Sequence, residues 1–167
     1  DSATCLKQDT DYVNIYISAP PLANILSINP ICIGDSVQLI ASGGAIYDWQ
    51  PNYNIINANT DTATVFPDTT TLYTVIVTDT CGTDTAQILV SILPKNIGIS
   101  PDTMICLGQS VQINASGGGT YAWSPAGSLS NANIANPIAS PLSNTTYNVI
   151  ITDPNSCVWD TTMTISV

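Results

Sequence analysis

The sequence contains no arginine, histidine or glutamate, and its twelve acidic residues, all aspartate, are opposed by only two basic residues, Lys7 and Lys95. The net charge is −10, although only 8% of the residues are charged. Proteins that bind nucleic acid neutralise phosphates with Lys and Arg, so this composition excludes a nucleic-acid partner. It also excludes a basic patch that would hold an anionic membrane surface.

Long apolar runs and catalytic groups are scarce as well. No stretch approaches the roughly 18 apolar residues of a membrane-spanning helix, so we expect no membrane insertion of this segment. There is no signal peptide, and for a secreted protein we expect it upstream of Asp1. Because the chain has no His or Glu for proton transfer, we predict no enzymatic activity, no catalytic residue and no cofactor.

The residues that are abundant indicate a β-structure. Hydrophobic residues make up 44% of the chain, which is enough to bury a core. Thr, Asn and Ser are frequent, whereas the strong helix formers Glu, Lys, Arg and Gln are rare. β-Branched residues and turn formers fill their place, so the composition predicts an all-β chain.

One stretch of the sequence occurs twice. Residues 31–44 read ICIGDSVQLIASGG, residues 105–118 read ICLGQSVQINASGG, and an ungapped alignment pairs residues 20–79 with residues 94–153. We therefore predict two tandem domains, 19–93 and 94–167. Residues 1–18 contain a cysteine, an Asp-Thr pair and an alternating apolar pattern like the end of each repeat. We predict that they are the last strand of a preceding, truncated domain.

Each repeat contains several short segments in which apolar and polar residues alternate. In the first repeat these segments are residues 36–42, 46–49, 62–66, 72–78 and 85–92, separated by Gly, Pro, Asn and Asp. Strands of this length and spacing predict a sandwich of two antiparallel sheets in each repeat. Proline at the joints, in Pro20-Pro21 and Leu93-Pro94, fixes the backbone and predicts stiff connections.

The five cysteines follow the same repeat. Cys32 and Cys106 precede the second strand of each unit, and Cys81 and Cys157 precede the last strand. We predict the disulfides Cys32–Cys81 and Cys106–Cys157, because this pairing keeps both bonds within a domain and in equivalent places. Cys5 is then an orphan cysteine with its partner upstream. Zinc is excluded, since there is no His and no Cys-x-x-Cys pair, and disulfides imply an oxidising compartment.

The aromatic residues divide into repeated and unrepeated positions. Trp49 and Trp123 occupy equivalent positions, so we predict core tryptophans rather than an aromatic platform for sugars. Tyr73 and Tyr147 also match, and we predict corners in which the hydroxyl bonds to nearby backbone. The possible partner contacts are the unrepeated ones: Trp159, Tyr12 and Tyr16, although both tyrosines also fit a solvent-facing strand.

The glycine pairs and the aspartates have alternative interpretations. Gly43-Gly44 and Gly117-Gly118 are followed by neither a helix nor a Lys, so we predict hairpin turns and not a phosphate loop. Calcium could be held by Asp9 with Asp11, or by Asp79 with Asp84 near a joint. No ligand spacing supports such a site, and we predict no metal.

The order of motifs resembles a known class of repeats. The residues that carry the resemblance are Cys-x-Gly-x-Ser-Val, Ala-Ser-Gly-Gly, Tyr-x-Trp-x-Pro, Asn-Ala-Asn, Thr-x-Tyr-x-Val and a closing Cys. They resemble the immunoglobulin-like or PKD-like tandem repeats of large Bacteroidota surface adhesins, including gliding-type adhesins exported by type IX secretion. This resemblance covers residues 19–167 and extends to the segment 1–18. It implies tandem immunoglobulin-like β-sandwich domains that act as spacer and scaffold modules.

We therefore expect structural repeat modules of a long extracellular adhesin, stalk or fibre-forming appendage at the cell surface. The expected partners are neighbouring repeats of the same chain and lateral copies in a fibre. Lateral copies are expected because the open edge strands carry few lysines, whose charge would prevent pairing with another chain. The alternatives are a module that binds surface glycans or proteins, and accessory domains of a secreted hydrolase. We expect any recognition where the repeats differ, such as residues 52–54 against residues 126–128.

Overall fold

The computed structural model describes residues 19–167, and all regular secondary structure in that range is β-strand. The predicted strand in residues 1–18 lies outside the described residues. The described chain forms two compact units. The first unit contains residues 19–29 and Ser36–Ser91, and the second contains Pro30–Asp35 and Ile92–Val167. The domain boundaries 19–93 and 94–167 stay a prediction.

Seventeen strands follow one another along residues 19–167. They are β1 (Asn24–Ile25), β2 (Ile31–Cys32), β3 (Val37–Ser42), β4 (Ile46–Gln50), β5 (Ile55–Ile56), β6 (Thr62–Val65), β7 (Thr71–Asp79), β8 (Gly82–Val90), β9 (Ile92–Leu93), β10 (Gly98–Ile99), β11 (Thr103–Met104), β12 (Val111–Gln112), β13 (Ala115–Ser116), β14 (Thr120–Ser124), β15 (Ile138–Ala139), β16 (Thr145–Thr152) and β17 (Val158–Ser166). The five strands predicted in the first repeat are confirmed as β3, β4, β6, β7 and β8.

The first unit is a sandwich of two antiparallel sheets. One sheet has the order β1-β3-β6-β5 and the other has the order β4-β7-β8. When the seven strands are lettered A to G in chain order, the sheets read A-B-E-D and C-F-G. That arrangement defines the immunoglobulin constant-type sandwich, so the predicted fold class, all-β and immunoglobulin-like, is confirmed.

The second unit follows the same plan with shorter pairings. Its larger sheet has the order β11-β17-β16-β14, in which β11 runs parallel to β17. The pairs β10–β13 and β12–β15 supply the opposite layer. A further parallel pair, β2–β9, belongs to this unit by its contacts, although β2 lies in the first sequence repeat.

Alternating strand residues build a separate core in each unit. Along β7, burial alternates so that Tyr73, Val75 and Val77 are fully buried, and Tyr147, Val149 and Ile151 repeat this along β16. This is the period of two that the sequence predicts. Burying one such apolar side chain stabilises the fold by about 1.5–3 kcal/mol.

The two predicted core tryptophans are confirmed. Trp49 is 0% and Trp123 is 3% exposed. Each indole N–H donates to a backbone carbonyl eleven residues further along, Trp49 to Thr60 at 3.0 Å and Trp123 to Ile134 at 2.9 Å. The buried rings therefore have no unsatisfied polar atom. Their hydrogen bonds connect β4 to the segment before β6, and β14 to the segment before β15.

The predicted tyrosine corners are confirmed in one unit only. The Tyr73 hydroxyl donates to the backbone carbonyl of Tyr53 at 3.0 Å, as expected of a corner, and burial raises the pKa of Tyr73. The hydroxyl of Tyr147 instead bonds to the side chain of Ser128, so the expected backbone partner is wrong there. Residues 52–54 and 126–128 differ between the repeats, which changes the partner that each loop offers.

The predicted hairpin turns at the glycine pairs are wrong. β3 and β4 lie in different sheets, so Gly43-Gly44 carries the chain across the sandwich, and Gly117-Gly118 does the same between β13 and β14. A Cβ on Gly43 would lie 2.0 Å from the carbonyl oxygen of Leu22, and one on Gly117 would lie 1.9 Å from that of Asn96. Glycine is required because the first strand segment of each unit passes against this crossing.

Substitution of Gly43 tests this explanation. Gly82 also has a positive φ, +147°, but a Cβ there would meet nothing within 4 Å. We expect Gly82→Ala to cost about 1–3 kcal/mol of backbone strain. Gly43→Ala should cost more, because its Cβ also displaces the backbone at Leu22. Urea unfolding followed by far-UV circular dichroism measures both, and equal costs would show that the close approach contributes nothing.

Candidate cross-linking and contact site

The structure joins Cys32 to Cys157, with their Cα atoms 5.7 Å apart. This distance is typical of a disulfide. The predicted pairs Cys32–Cys81 and Cys106–Cys157 are therefore wrong. The physical reason is that the segment Pro30–Asp35 packs in the second unit, where Cys32 reaches the loop between β16 and β17. The bond thus connects the first sequence repeat to the second.

The segment around Cys32 is held by backbone hydrogen bonds within the second unit. The N–H of Ile33 donates to the carbonyl of Leu93 at 3.1 Å, which continues the parallel pairing of β2 with β9. The N–H of Asp35 donates to the carbonyl of Cys32 at 3.0 Å and closes a tight turn. Gly34 has φ +92° in this turn, a conformation that other residues rarely adopt. The turn fixes the direction in which the Cys32 side chain leaves the backbone.

The loop that carries Cys157 is organised by one carboxylate. Oδ1 of Asp153 accepts hydrogen bonds from the N–H of Asn155 at 2.8 Å and from the N–H of Cys157 at 2.9 Å. The Cys157 side chain is almost fully buried. Because Asp153 accepts hydrogen bonds from two loop N–H groups, these bonds position Cys157 independently of the disulfide.

Two further thiols are free within the part of the chain that the structure describes. Cys81 lies in the β7–β8 turn and Cys106 follows β11, and both are exposed. Cys5, the predicted orphan, lies outside the described residues. The prediction that Cys81 and Cys106 form disulfides within their own domains is therefore wrong. Each of them presents a thiol at the surface.

Trp159, one of the predicted partner contacts, is half-buried in the second unit. Lys95 Nζ lies 5.6 Å from the centroid of its ring, within the range of a cation–π interaction, and donates to the Asp160 carbonyl at 3.5 Å. The indole Nε1 of Trp159 is shielded from solvent and has no hydrogen-bond partner among residues 19–167. Pro21 replaces Lys95 in the first repeat, so this pair is not part of the repeated framework.

An open groove lies beside Trp159 on the second unit. Its lining combines apolar side chains with a carboxylate, an amide and a hydroxyl group, and consists of Ser124, Asn148, Ile150, Val158, Trp159 and Asp160. This mixture can contact the apolar face of a ligand and accept or donate hydrogen bonds at its edge. Sequence reasoning found Trp159 but missed Lys95, whose only signal is that it lies at a joint.

A larger groove coincides with a loop in which the repeats differ. In the first unit, Tyr53 and Asn54 both donate to the Asp68 carboxylate, at 3.0 and 3.2 Å. The hydrogen bond to Asp68 raises the pKa of Tyr53. In the second unit, Gly127 replaces Tyr53 and Leu142 replaces Asp68, and both line an open groove. The expectation that recognition lies in this loop stays a prediction.

The remaining predicted contacts and ligands lie elsewhere. Tyr12, Tyr16, Asp9 and Asp11 lie outside the described residues. Within residues 19–167 no group of three or more acidic or cysteine side chains could hold a metal ion. In the same residues no helix is long and apolar enough to cross a membrane.

Asp84 has a structural role that the sequence does not reveal. Its Oδ2 accepts a hydrogen bond from the N–H of Ala23 at 2.9 Å, which fastens the first strand segment of the first unit to β8. This hydrogen bond, together with one from the N–H of Thr85, lowers the pKa of Asp84, and partial burial opposes the shift. The carboxylate is therefore bound as an anion in the folded protein.

Comparison with known proteins gives structural neighbours only. No protein-family model and no curated protein match the chain. Its solved neighbours are immunoglobulin-domain proteins. The titin I-band fragment I67–I69 is 16% identical with a TM-score of 0.42, covering 90% of this chain and 66% of the fragment. The insect immune protein hemolin is 11% identical with a TM-score of 0.46, covering 88% of this chain and 46% of hemolin.

A two-domain structure, DIP-gamma IG1+IG2, is 13% identical with a TM-score of 0.41 and covers 88% of this chain and 98% of its own. The chain spans less than two thirds of the titin fragment and of hemolin. At these identities and TM-scores no function is transferred from the neighbours. The immunoglobulin-like fold rests on the strand order of the sheets.

Asp84 predicts a dependence of stability on pH. Its folded pKa lies below the unfolded value of about 3.9, so its contribution is complete well above that pH and is lost as the pH falls through the folded pKa. We expect Asp84→Asn to lower the melting temperature at pH 7, with the difference shrinking below about pH 4. Thermal unfolding between pH 7 and pH 2 measures it.

Asp160→Asn is the matched control, because it makes the same charge change on an exposed residue of β17. Its profile reports the effect of net charge alone. If the two substitutions gave the same profile, the hydrogen bond from Ala23 would have no effect on stability.

Proposed function

We propose that this chain consists of load-bearing structural modules of a long extracellular surface adhesin, stalk or fibre-forming appendage, without catalytic activity. The observation that carries the proposal is the Cys32–Cys157 disulfide, which spans 125 residues and both sequence repeats. A bond confined to one domain would stabilise that domain only. This bond fixes a segment of the first sequence repeat, Pro30–Asp35, within the second unit, so the two repeats are joined by more than the peptide at Leu93-Pro94, which is the property that a stalk needs.

The position of the bond determines how the chain carries tension. A pulling force applied at the two ends enters at Cys32, crosses the disulfide and leaves at Cys157. Residues 33–156 lie inside the closed loop and are not stretched while the bond is intact. They include the complete strands β3 to β16 of both units. The covalent bond therefore shields β3 to β16 from tension, whereas β1 and β17 lie outside the closed loop.

Other properties support an extracellular location. Disulfides persist in oxidising compartments outside the cytosol. Proteases that cut after Lys or Arg find only Lys7 and Lys95 in the whole sequence. Immunoglobulin-like sandwiches are common in structural and adhesion modules, although the fold alone does not determine function.

The motif resemblance supports a more specific origin. We propose that the parent protein is a Bacteroidota surface protein of the gliding-adhesin type that is exported by type IX secretion. Lateral association of copies in a fibre is part of this proposal. Exposed apolar residues on neighbouring strands, such as Leu72 and Leu89 of β7 and β8, offer a surface on which copies could pack.

Single-molecule force measurement tests the load-bearing role. The chain is attached through both ends and pulled before and after reduction. Opening the loop releases about 125 residues, which extend by roughly 400 Å. We expect the oxidised protein to lack this extension and the reduced protein, or Cys32→Ser, to show it.

Cys106→Ser is the control for this measurement, because it removes an exposed cysteine outside the bond. It should behave like the unmodified chain under oxidising conditions. If the oxidised, unmodified protein unfolds to its full length, the disulfide does not carry the load and the proposal is wrong.

A second candidate function is binding of a surface glycan or a partner protein at the groove beside Trp159. It is favoured by one observation, the half-buried ring next to Asn148 and Asp160 in a position that the first repeat does not share. An aromatic face with adjacent amide and carboxylate groups suits a sugar ring, whose hydroxyl groups need hydrogen-bond partners.

Substitutions in the groove test this second function. Trp159→Ala and Asn148→Ala should each lower binding to a glycan array or to a cell surface at least tenfold. Gln112→Ala, which changes an exposed residue of β12 outside the groove, should not. Equal binding by all three variants, or no array binding by the unmodified protein, would exclude the groove as a glycan site.

A further inference from the structure

The two exposed thiols occupy the repeat positions of the two bonded cysteines. Cys106 is the counterpart of Cys32, and Cys81 is the counterpart of Cys157. We call Cys32 and Cys106, the first cysteine of each repeat, first-type, and Cys81 and Cys157, the last cysteine of each repeat, last-type. In the structure the first-type cysteine of one repeat is bonded to the last-type cysteine of the following repeat. Under the same rule, Cys106 pairs with the last-type cysteine of the next repeat, and Cys81 pairs with the first-type cysteine of the preceding repeat.

The backbone around Cys106 already has the conformation found at Cys32. In the bonded segment, the N–H of Asp35 donates to the Cys32 carbonyl at 3.0 Å, and Gly34 has φ +92°. In the free segment, the N–H of Gln109 donates to the Cys106 carbonyl at 2.9 Å, and Gly108 has φ +84°. No side chain lies within 4 Å of a Cβ at either glycine, so glycine is needed here for its backbone angle.

At Cys81 and Cys157 an aspartate accepts a hydrogen bond from the cysteine N–H, although the turn at Cys81 is two residues shorter. The N–H of Cys157 donates to Asp153 Oδ1 at 2.9 Å, and the N–H of Cys81 donates to Asp79 Oδ1 at 2.6 Å. Asp79 and Asp153 are themselves repeat counterparts. The turn at Cys106 therefore repeats that at Cys32, and Cys81 shares with Cys157 the hydrogen bond to the equivalent aspartate. They differ in exposure, since Cys157 is buried whereas Cys81 is not.

We propose that Cys81 and Cys106 are the two half-sites of the same inter-repeat disulfide, and that their partner is a further repeat of this type joined in line. Each thiol is exposed because its partner repeat is not among residues 19–167. The proposal concerns cross-linking and does not depend on whether the protein carries load.

The cross-link forms by thiol–disulfide exchange with a low-molecular-weight disulfide as the oxidant. The thiolate of Cys106 attacks one sulfur of that disulfide, which releases one thiol and leaves a mixed disulfide. The last-type thiolate of the next repeat then attacks the Cys106 sulfur and releases the second thiol. Two protein thiols are oxidised to one disulfide, and the small disulfide is reduced to two thiols.

A tandem chain tests the proposal directly. Residues 1–167 are followed by Ile-Leu, the counterparts of Ile92 and Leu93, and then by residues 20–167, with Cys5→Ser throughout. Cys106 of the first copy and Cys81 of the second copy are then separated by 125 residues, as Cys32 and Cys157 are. The tandem chain is oxidised with glutathione disulfide, and its disulfides are mapped by mass spectrometry after pepsin digestion. A cysteine that carries glutathione is counted as a thiol, because it has no protein partner.

Eight cysteines remain in this chain, and the outcomes are distinct. We expect three disulfides and two thiols, with a peptide that links Cys106 of the first copy to Cys81 of the second. Four thiols would show that the two half-sites do not meet. No thiols, with Cys32 linked to Cys81, would show pairing within repeats. Either result overturns the proposal, and far-UV circular dichroism verifies that the oxidised chain is folded.

Two further samples distinguish an in-line repeat from a separate copy of the chain. The tandem chain with Cys106→Ser in its first copy should keep Cys81 of the second copy as a thiol. The single chain of residues 1–167 with Cys5→Ser should stay a monomer with two thiols at the same concentration of glutathione disulfide. If the single chain forms covalent multimers while the tandem chain fails to form its internal bond, the partner is a separate copy and the in-line proposal is wrong.

Discussion

The Cys32–Cys157 disulfide is the constraint on which the rest of the structure depends, because it joins residues of the first and the second sequence repeat. In the chain-entropy model a loop of this length stabilises the folded state by about 4–5 kcal/mol, although part of such stabilisation is assigned to enthalpy by other treatments. That value is comparable to the whole stability of a small domain. The loop that this bond closes includes most of both repeats. Loss of either cysteine therefore removes the restraint from both repeats.

The sequence predicts the layers of the fold well, because each layer depends on local pattern. Alternation along β3, β7 and β8 identifies the buried faces, and repetition of Trp49 as Trp123 identifies a core position. The disulfides are different. A strict repeat allows two equally regular pairings, one within each repeat and one shifted to the next repeat. Only the packing of Pro30–Asp35 in the second unit decides between them.

The other differences also come from contacts between residues that are distant in sequence. A glycine pair between two strands is typical of a hairpin, but at Gly43 the requirement arises from the backbone at Leu22. Lys95 and Asp84 look like isolated surface charges, yet one contacts Trp159 and the other fastens the segment at Ala23. No local pattern predicts these partners, and comparison of the repeats identifies only which positions are free to differ.

An array built with inter-repeat disulfides would have two covalent connections at every joint. At Leu93-Pro94 one connection is the peptide itself and the other is Cys32–Cys157, which closes across it. With Cys81 and Cys106 bonded to outer repeats, tension would enter the chain at Cys81 and leave at Cys106. The segment between them, β8 to β11, contains this same joint, and the Cys32–Cys157 bond spans it. The direct path from Cys81 to Cys106 would be about four times shorter than the route through Cys32–Cys157, so tension would be confined to this segment and the rest of both repeats would be bypassed.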